Sequence, residues 1–136
     1  GGRMIDVSAL ARRDTFARTL GVDLVEASLG RAVTRVAIEE RHLNFNGVGH
    51  GGLTFTLADA AFGYACNSQG VVSGSIDAHI VYSVAVRLGD VLTATAVEIS
   101  RSSKASTYRI DVVRGDGKLV AAMTGTALIS GKPVVV

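Results

Sequence analysis

Apolar and polar positions follow two different periods along this chain, and the switches between them mark its elements. Residues 6–20 place Leu10, Phe16 and Leu20 at near-helical spacing, with Ser8 able to cap the start and Gly21 to stop the run. This predicts one short amphipathic helix. Next come "VDLVEASL", a turn at Gly30, and "RAVTRVAIEE", where Ala32, Thr34, Val36 and Ile38 alternate with their neighbours. A period of two predicts an antiparallel hairpin. The loop at residues 41–50 holds two Asn and two Gly, after which residues 51–69 run without Pro or a turn signal. At about 1.5 Å per residue that stretch is a helix close to 30 Å long. Leu53, Phe55, Leu57, Ala58, Ala60, Ala61, Phe62 and Ala65 make it apolar nearly all round, so it should be buried on most faces.

Beyond Gly70 four more strands are predicted, at residues 73–83, 90–100, 106–114 and 118–130, with "GDGK" as the tight turn between the last two. One long buried helix and six mostly antiparallel strands imply an α+β fold: a curved sheet wrapped round the helix, with a short N-terminal helix beside it. No linker, low-complexity tract or internal repeat divides the chain, so residues 4–136 read as a single domain. Gly1, Gly2 and Arg3, which precede Met4, read as the remnant of an expression tag.

Composition narrows the function more than the fold. The chain has 136 residues, 48% of them hydrophobic and 19% charged, which suits one well-packed core rather than a disordered segment. The formal charge is only +2, and Lys and Arg are scattered, so neither nucleic acid nor an anionic membrane surface is expected as a partner. A phosphate-bearing small molecule remains compatible with it. Asp59, Asn67 and Gln69 interrupt the longest apolar stretch, which therefore falls short of a membrane span. Cys66 is the only cysteine, so it has no intrachain disulfide partner and reads as a small core residue in a cytoplasmic protein. No cluster of His, Cys and acids has metal-ligand spacing.

The informative chemistry lies in "NFNGVGHGGLTFTLADAAFGYACNSQG", followed by "SIDAHIVY" and "LGD". A glycine-rich polar turn leads directly into the most apolar helix, and that helix carries a single carboxylate, Asp59. The spacing from Asn44 by six to His50-Gly51-Gly52, and by nine from His50 to Asp59, resembles the hotdog-fold acyl-coenzyme A thioesterases. The branch associated with phenylacetic acid degradation is the most similar. The resemblance implies a hotdog fold, a dimer with one continuous sheet, often a dimer of such dimers, and hydrolysis of an acyl-coenzyme A bearing an aryl-acetyl group. No cofactor is implied, because coenzyme A is part of the substrate.

The resemblance also implies roles. Asp59 is the general base or nucleophile, Gly51 a backbone donor, Asn44 the side chain that holds or polarises the thioester, and Ser75 a hydroxyl that orients water. His50 braces the loop or contacts the substrate, and Gly52 allows close approach of the ligand. The polar connection Arg101, Ser102, Ser103 and Lys104 corresponds to the region that meets the nucleotide and pantetheine arm, although a solvated hairpin turn explains it equally well. Arg87 and Lys132 are weaker phosphate candidates. Asp77 and His79 alternate with Ser75 on one strand face; Asp77 could reach the site, while His79 reads as structural. His42 reads as a surface loop residue. The stretch "YSVAVRLGD" departs from the family pattern, in which Pro often follows the central strand.

Physics supports a shared site. A helix beginning near Gly51 leaves its first N–H groups unpaired, and with the macrodipole they favour negative charge on a bound carbonyl oxygen. Asp59 lies eight residues further on, about 12 Å along the same helix. One helix cannot bring both groups to one thioester. Two antiparallel copies related by a twofold axis can, and they would make two equivalent sites. Asp59 is then expected to be buried within its own helix yet to face a pocket at the subunit interface. Two other functions are conceivable on this fold. A dehydratase or hydratase needs a His paired with an acid beside a carbonyl, and His50 and Asp59 meet only across a dimer. A non-catalytic acyl-coenzyme A sensor would carry a separate DNA-binding segment, for which 136 residues leave no room.

Overall fold

A computed structural model describes residues 4–136; the tag remnant inferred at residues 1–3 lies outside the described residues. The elements in order are α1 (Val7–Arg13), α2 (Thr15–Thr19), β1 (Asp23–Ser28), β2 (Arg31–Ala37), a 3-10 turn (Glu40–His42), α3 (Gly51–Asn67), β3 (Val71–Tyr82), β4 (Val91–Arg101), β5 (Ala105–Arg114) and β6 (Leu119–Pro133). The six strands form one sheet in the order β1-β2-β4-β5-β6-β3, antiparallel at every pairing. Helix α3 packs on this sheet, chiefly against β2, β4, β3 and β5. The hairpin of β1 and β2, the central helix, the four later strands and the turn ahead of Lys118 all follow the sequence pattern.

Inward-facing residues at every second strand position meet the helix. Ala32, Val36, Leu92, Ala94, Ala96, Ile110, Val112 and Met123 are buried against Leu57, Ala58, Ala61, Phe62 and Ala65. Two further contacts fix the helix on the sheet. The Thr34 hydroxyl on β2 donates to the Leu57 carbonyl at 2.8 Å. Gly125 on β6 lets the Phe62 ring come so close that a Cβ there would sit 2.6 Å from a ring carbon. At its C-terminal end, α3 is tied to the start of β3 by Asn67, whose amide donates to the Ser73 carbonyl at 3.1 Å and accepts from the Ser73 N–H at 2.9 Å.

Four expectations are corrected here. The N-terminal segment is two helices, because Asp14 leaves helical geometry (ψ 84°) and caps α2 by accepting from the Ala17 N–H. The first helix is capped by Asp6, which accepts from the Ser8 N–H, and not by Ser8. Phe16 does not join the apolar face of these helices; it is largely exposed. His42 is buried, not on the surface: its Nδ1 accepts from the Glu39 N–H at 2.9 Å and its Nε2 donates to the Leu20 carbonyl at 2.8 Å. Both ring nitrogens are thereby satisfied, which is the condition for burying a polar ring. Cys66 is a core residue as expected, and burial pushes its thiol up to about 12, so it stays protonated.

Candidate active site

The loop before α3 is held by its own backbone. Asn44 Oδ1 accepts from the N–H groups of Asn46 (2.8 Å) and Val48 (3.3 Å), the Asn44 N–H donates to the Val48 carbonyl (2.7 Å), and the His50 N–H donates to the His42 carbonyl (2.8 Å). The Asn44 amide nitrogen is left free to donate. His50 is the N-cap of α3, and its Nδ1 accepts from the Gly52 N–H at 2.8 Å. The N–H groups of Leu53 and Thr54 donate back to the His50 carbonyl. Of the first four donors of the helix, Gly51 alone is without a partner among the described residues, so the positive end of the dipole presents one free N–H. His50 therefore braces the loop, and Gly52 offers the site no donor.

Gly51 opens into a groove of about 290 Å³ lined by Gly49, Thr54, Tyr82 and residues 83–86. The Tyr82 hydroxyl donates to the Gly51 carbonyl at 3.0 Å, and a Cβ at Gly51 would meet the Tyr82 ring at 3.3 Å. The missing side chain keeps this approach open.

Asp59 opens elsewhere, into a groove of about 410 Å³ between α3 and the junction of α1 and α2, lined also by Leu10, Arg13, Asp14, Ala60, Gly63, Tyr64, Asn67 and Val134. The expectation that its own subunit buries Asp59 is corrected. Gly52, Thr56, Asp59 and Gly63, spaced by four, three and four and flanked by the half-buried Phe55, form an incompletely covered stripe on a mostly buried helix, and Asp59 is exposed on it. Its carboxylate accepts no hydrogen bond from the described residues. The walls of the groove still strip enough water to raise its pKa above the ordinary carboxylate value, and the charge of Asp14 adds to the rise.

The remaining candidates lie on β3 and at the turn between β4 and β5. Ser75 is exposed on β3, an edge strand. A bulge between Ser75 and Asp77 breaks the two-residue alternation, so these two do not simply share a strand face, contrary to the sequence reading. Asp77 Oδ1 accepts from the Thr126 N–H at 3.1 Å across the bulge, and His79 is exposed on the same strand. Arg101 is paired with Glu98 at 3.1 Å. The Ser102 hydroxyl accepts from the N–H groups of Lys104 (3.3 Å) and Ala105 (3.2 Å), shaping the turn and leaving the exposed Ser103 and Lys104 side chains at its tip. Among the described residues no group of three or more His, Cys, Asp or Glu could hold a metal ion, and no helix is long and apolar enough to cross a membrane.

A single chain thus carries a free N–H donor in one groove and an unpartnered carboxylate in another. The family model described as the thioesterase superfamily matches residues 46–121, the span that holds both groups. The chain belongs to the thioesterase superfamily. It is 36% identical over 117 residues to the acyl-coenzyme A thioesterase PaaI of Escherichia coli, covering 86% of this chain and 84% of that protein. Human acyl-coenzyme A thioesterase 13 is 31% identical over 119 residues, with 85% of each covered. The structure of E. coli PaaI, a protein from the phenylacetic acid degradation operon, superposes with a TM-score of 0.92 at 33% identity over 96% of this chain and 94% of that one. A hypothetical thioesterase of Streptococcus pneumoniae with coenzyme A aligns with a TM-score of 0.79 at 26% identity, covering 83% and 88%. The hotdog fold and the acyl-coenzyme A thioesterase class read from the sequence both stand.

The sequence reading missed Tyr82 beside Gly51, and Asp14 and Tyr64 beside Asp59. Tyr82 left no signal, because only the fold brings it to the helix start. Asp14 could have been found as a capping residue inside an interrupted helical pattern.

Proposed function

We propose that the protein hydrolyses acyl-coenzyme A thioesters to free acid and coenzyme A, favours aryl-acetyl groups such as phenylacetyl or hydroxyphenylacetyl, and works as a cytoplasmic homodimer that pairs into a dimer of dimers. The observation that carries this reading is the division of α3. Gly51 and Asp59 open into separate grooves about 12 Å apart along the axis, so a complete site takes Gly51 from one protomer and Asp59 from its partner. Strand β3 supports the pairing. It is a twelve-residue edge with Ile76, Val81 and Tyr82 exposed, and a free edge of that length calls for a second strand.

In this scheme Asp59 takes a proton from water while the water oxygen bonds to the thioester carbon. The carbonyl electron pair moves onto oxygen, where the Gly51 N–H and the Asn44 amide receive it. Collapse of the tetrahedral adduct breaks the C–S bond, and the departing thiolate takes the proton from Asp59. Direct attack by the Asp59 carboxylate would break the C–S bond, expel the coenzyme A thiolate and form a mixed anhydride. Water then opens it to the free acid and the Asp59 carboxylate, and the proton released by that water goes to the thiolate. Ser75 orients the water. Lys104, whose side chain has no partner among the described residues, is better placed than the engaged Arg101 to meet a phosphate. Residues 82–86 of the "YSVAVRLGD" stretch line the groove beside Gly51, and a departure from the family pattern there would alter acyl selectivity. The affinity for aryl-acetyl groups rests on the similarity to PaaI.

The test is an assay across phenylacetyl-, benzoyl-, short- and long-chain acyl-coenzyme A, with sedimentation at assay concentration. Highest kcat/KM for phenylacetyl-coenzyme A by an oligomer is expected. A fully active monomer would overturn the composite site.

A further inference from the structure

The groove over Asp59 contains a second carboxylate that hydrolysis as outlined does not use. Asp14 sits at the break between α1 and α2, and both of its oxygens are engaged: Oδ1 accepts from the Ala17 N–H at 3.2 Å, and Oδ2 accepts from the Tyr64 hydroxyl at 2.7 Å. Tyr64 lies five residues beyond Asp59 on α3 and is itself buried, so the bond spans the groove from the central helix to the N-terminal helices. Burial and the bond to Asp14 raise the Tyr64 pKa far above its usual range, so the phenol keeps its proton and remains the donor. Arg13, which lines the same groove, donates to the Val135 carbonyl at 2.8 Å.

We propose that Asp14, anchored by Tyr64 across the groove from Asp59, is a positioning residue that makes Asp59 a stronger base for the hydrolytic step. This deepens the proposed function and rests on it. A carboxylate in water is a weak base at neutral pH, and general base catalysis gains as the proton affinity of the base rises toward the working pH. Removal of water from the groove supplies most of that rise and the fixed negative charge of Asp14 supplies a further part. A more basic carboxylate is also the better nucleophile, so the inference holds for either route of attack. The titratable groups facing Asp59 are Arg13 and Asp14 from the N-terminal helices and Tyr64 from α3; Val134, from the C-terminal segment, brings no charge in its side chain. Cys66 also feels the Asp59 charge from the sheet side and stays a neutral thiol.

Asp14→Asn and Asp14→Ser both keep a helix-capping residue while removing the charge, which separates the electrostatic role from a structural one. The pH dependence of kcat/KM for phenylacetyl-coenzyme A is measured in the parent and both variants. The acid limb should move to lower pH by a similar amount in both, with kcat reduced about three- to tenfold at neutral pH and KM unchanged. The melting temperature should fall further in Asp14→Ser, which leaves the Tyr64 hydroxyl without its acceptor, than in Asp14→Asn. Asp14→Glu should hold the acid limb near its parental place. In parallel, carboxyl 13C NMR follows the Asp59 titration directly, assigned by its loss in Asp59→Asn. An Asp59 midpoint that stays put in both neutral variants overturns the inference even if the enzyme is active. Absence of thioester hydrolysis in the parent overturns the functional reading, while the NMR titration still decides whether Asp14 and Asp59 are coupled.

Discussion

At the C-terminal end of α3 the Glu98 carboxylate receives the Tyr108 hydroxyl at 2.8 Å, the Gln69 amide at 3.1 Å and the Arg101 guanidinium at 3.1 Å. Half-way along the same helix the Asp59 carboxylate receives no donor from the described residues and shares its groove with Asp14. Asp59 sits on this helix and Glu98 against its end, and although Asp59 is the more exposed, exposure alone does not say which acid is structural. Their partners do. Glu98 is charge-compensated and its hydrogen bonds close the end of the core, which is how a structural acid is accommodated. Asp59 is left without compensation beside a like charge and an open groove, an arrangement that costs stability and is retained where reactivity is required.

The largest effect follows from exchanging the two acids for neutral residues. Asp59→Asn matches the shape of Asp and removes only the charge, so turnover should fall by about a hundred- to ten-thousand-fold or more while acyl-coenzyme A still binds. Glu98→Ala removes the acceptor of Arg101 and Gln69 and leaves the Tyr108 hydroxyl only the Ala65 carbonyl at 3.4 Å. It should cost about 1–3 kcal/mol of stability, with turnover at permissive temperature within a few-fold of the parent. Turnover and melting temperature measured on the same two proteins check both. Early melting of Asp59→Asn with parental hydrolysis would make Asp59 a second structural acid and end its catalytic assignment.

Smaller changes should come from the groups that position the substrate rather than react with it. Asn44→Ala removes both a free amide donor and the acceptor that holds the Asn46 and Val48 N–H groups, and Ser75→Ala removes an exposed hydroxyl. Each should lower turnover by about ten- to a thousand-fold, the span for losing one such contact. Asn44→Ala should be the less stable of the two, because its loop depends on that side chain. Complete loss in Ser75→Ala together with full activity in Asp59→Asn would move the reacting group from the helix to β3.

Much of this architecture was legible in the residues, for reasons that differ by region. The long helix is legible as an apolar run unbroken by Pro or a turn signal, and the strands from alternation and from the turns between them. The Asn44, His50, Gly51 and Asp59 constellation is local in sequence and therefore visible. What stayed hidden depends on contacts between distant segments. Nothing near His42 reports that the Leu20 carbonyl, 22 residues earlier, will satisfy the far side of its ring. The Ser75–Asp77 bulge arises in pairing with β6, and alternation in one strand cannot reveal it. Gly125 looks like an ordinary strand glycine until Phe62 is placed over it. The exposed stripe through Asp59 was missed because apolar composition predicts which residues avoid water, and not which side of a helix the sheet leaves uncovered.

The smallest and most discriminating effect is the pH dependence of stability at Asp59. Its folded-state pKa is raised, first by loss of water and then by Asp14, so the folded protein holds that proton more tightly than the unfolded chain does. Ionised Asp59 therefore destabilises the fold in full above its folded-state pKa, and the penalty disappears as pH falls through that value toward the ordinary carboxylate range. Asp59→Asn removes the penalty and loses no hydrogen bond. The variant should melt at or slightly above the parent at neutral pH, and the gap should close as the solution is acidified. Glu98→Ala should show the opposite sign at neutral pH. Thermal melts of the three proteins from pH 7 down to pH 4 would check this. An Asp59→Asn variant less stable than the parent at pH 7 would mean that the carboxylate is compensated in solution, as Glu98 is, and the contrast between the two acids would no longer distinguish reactivity from structure.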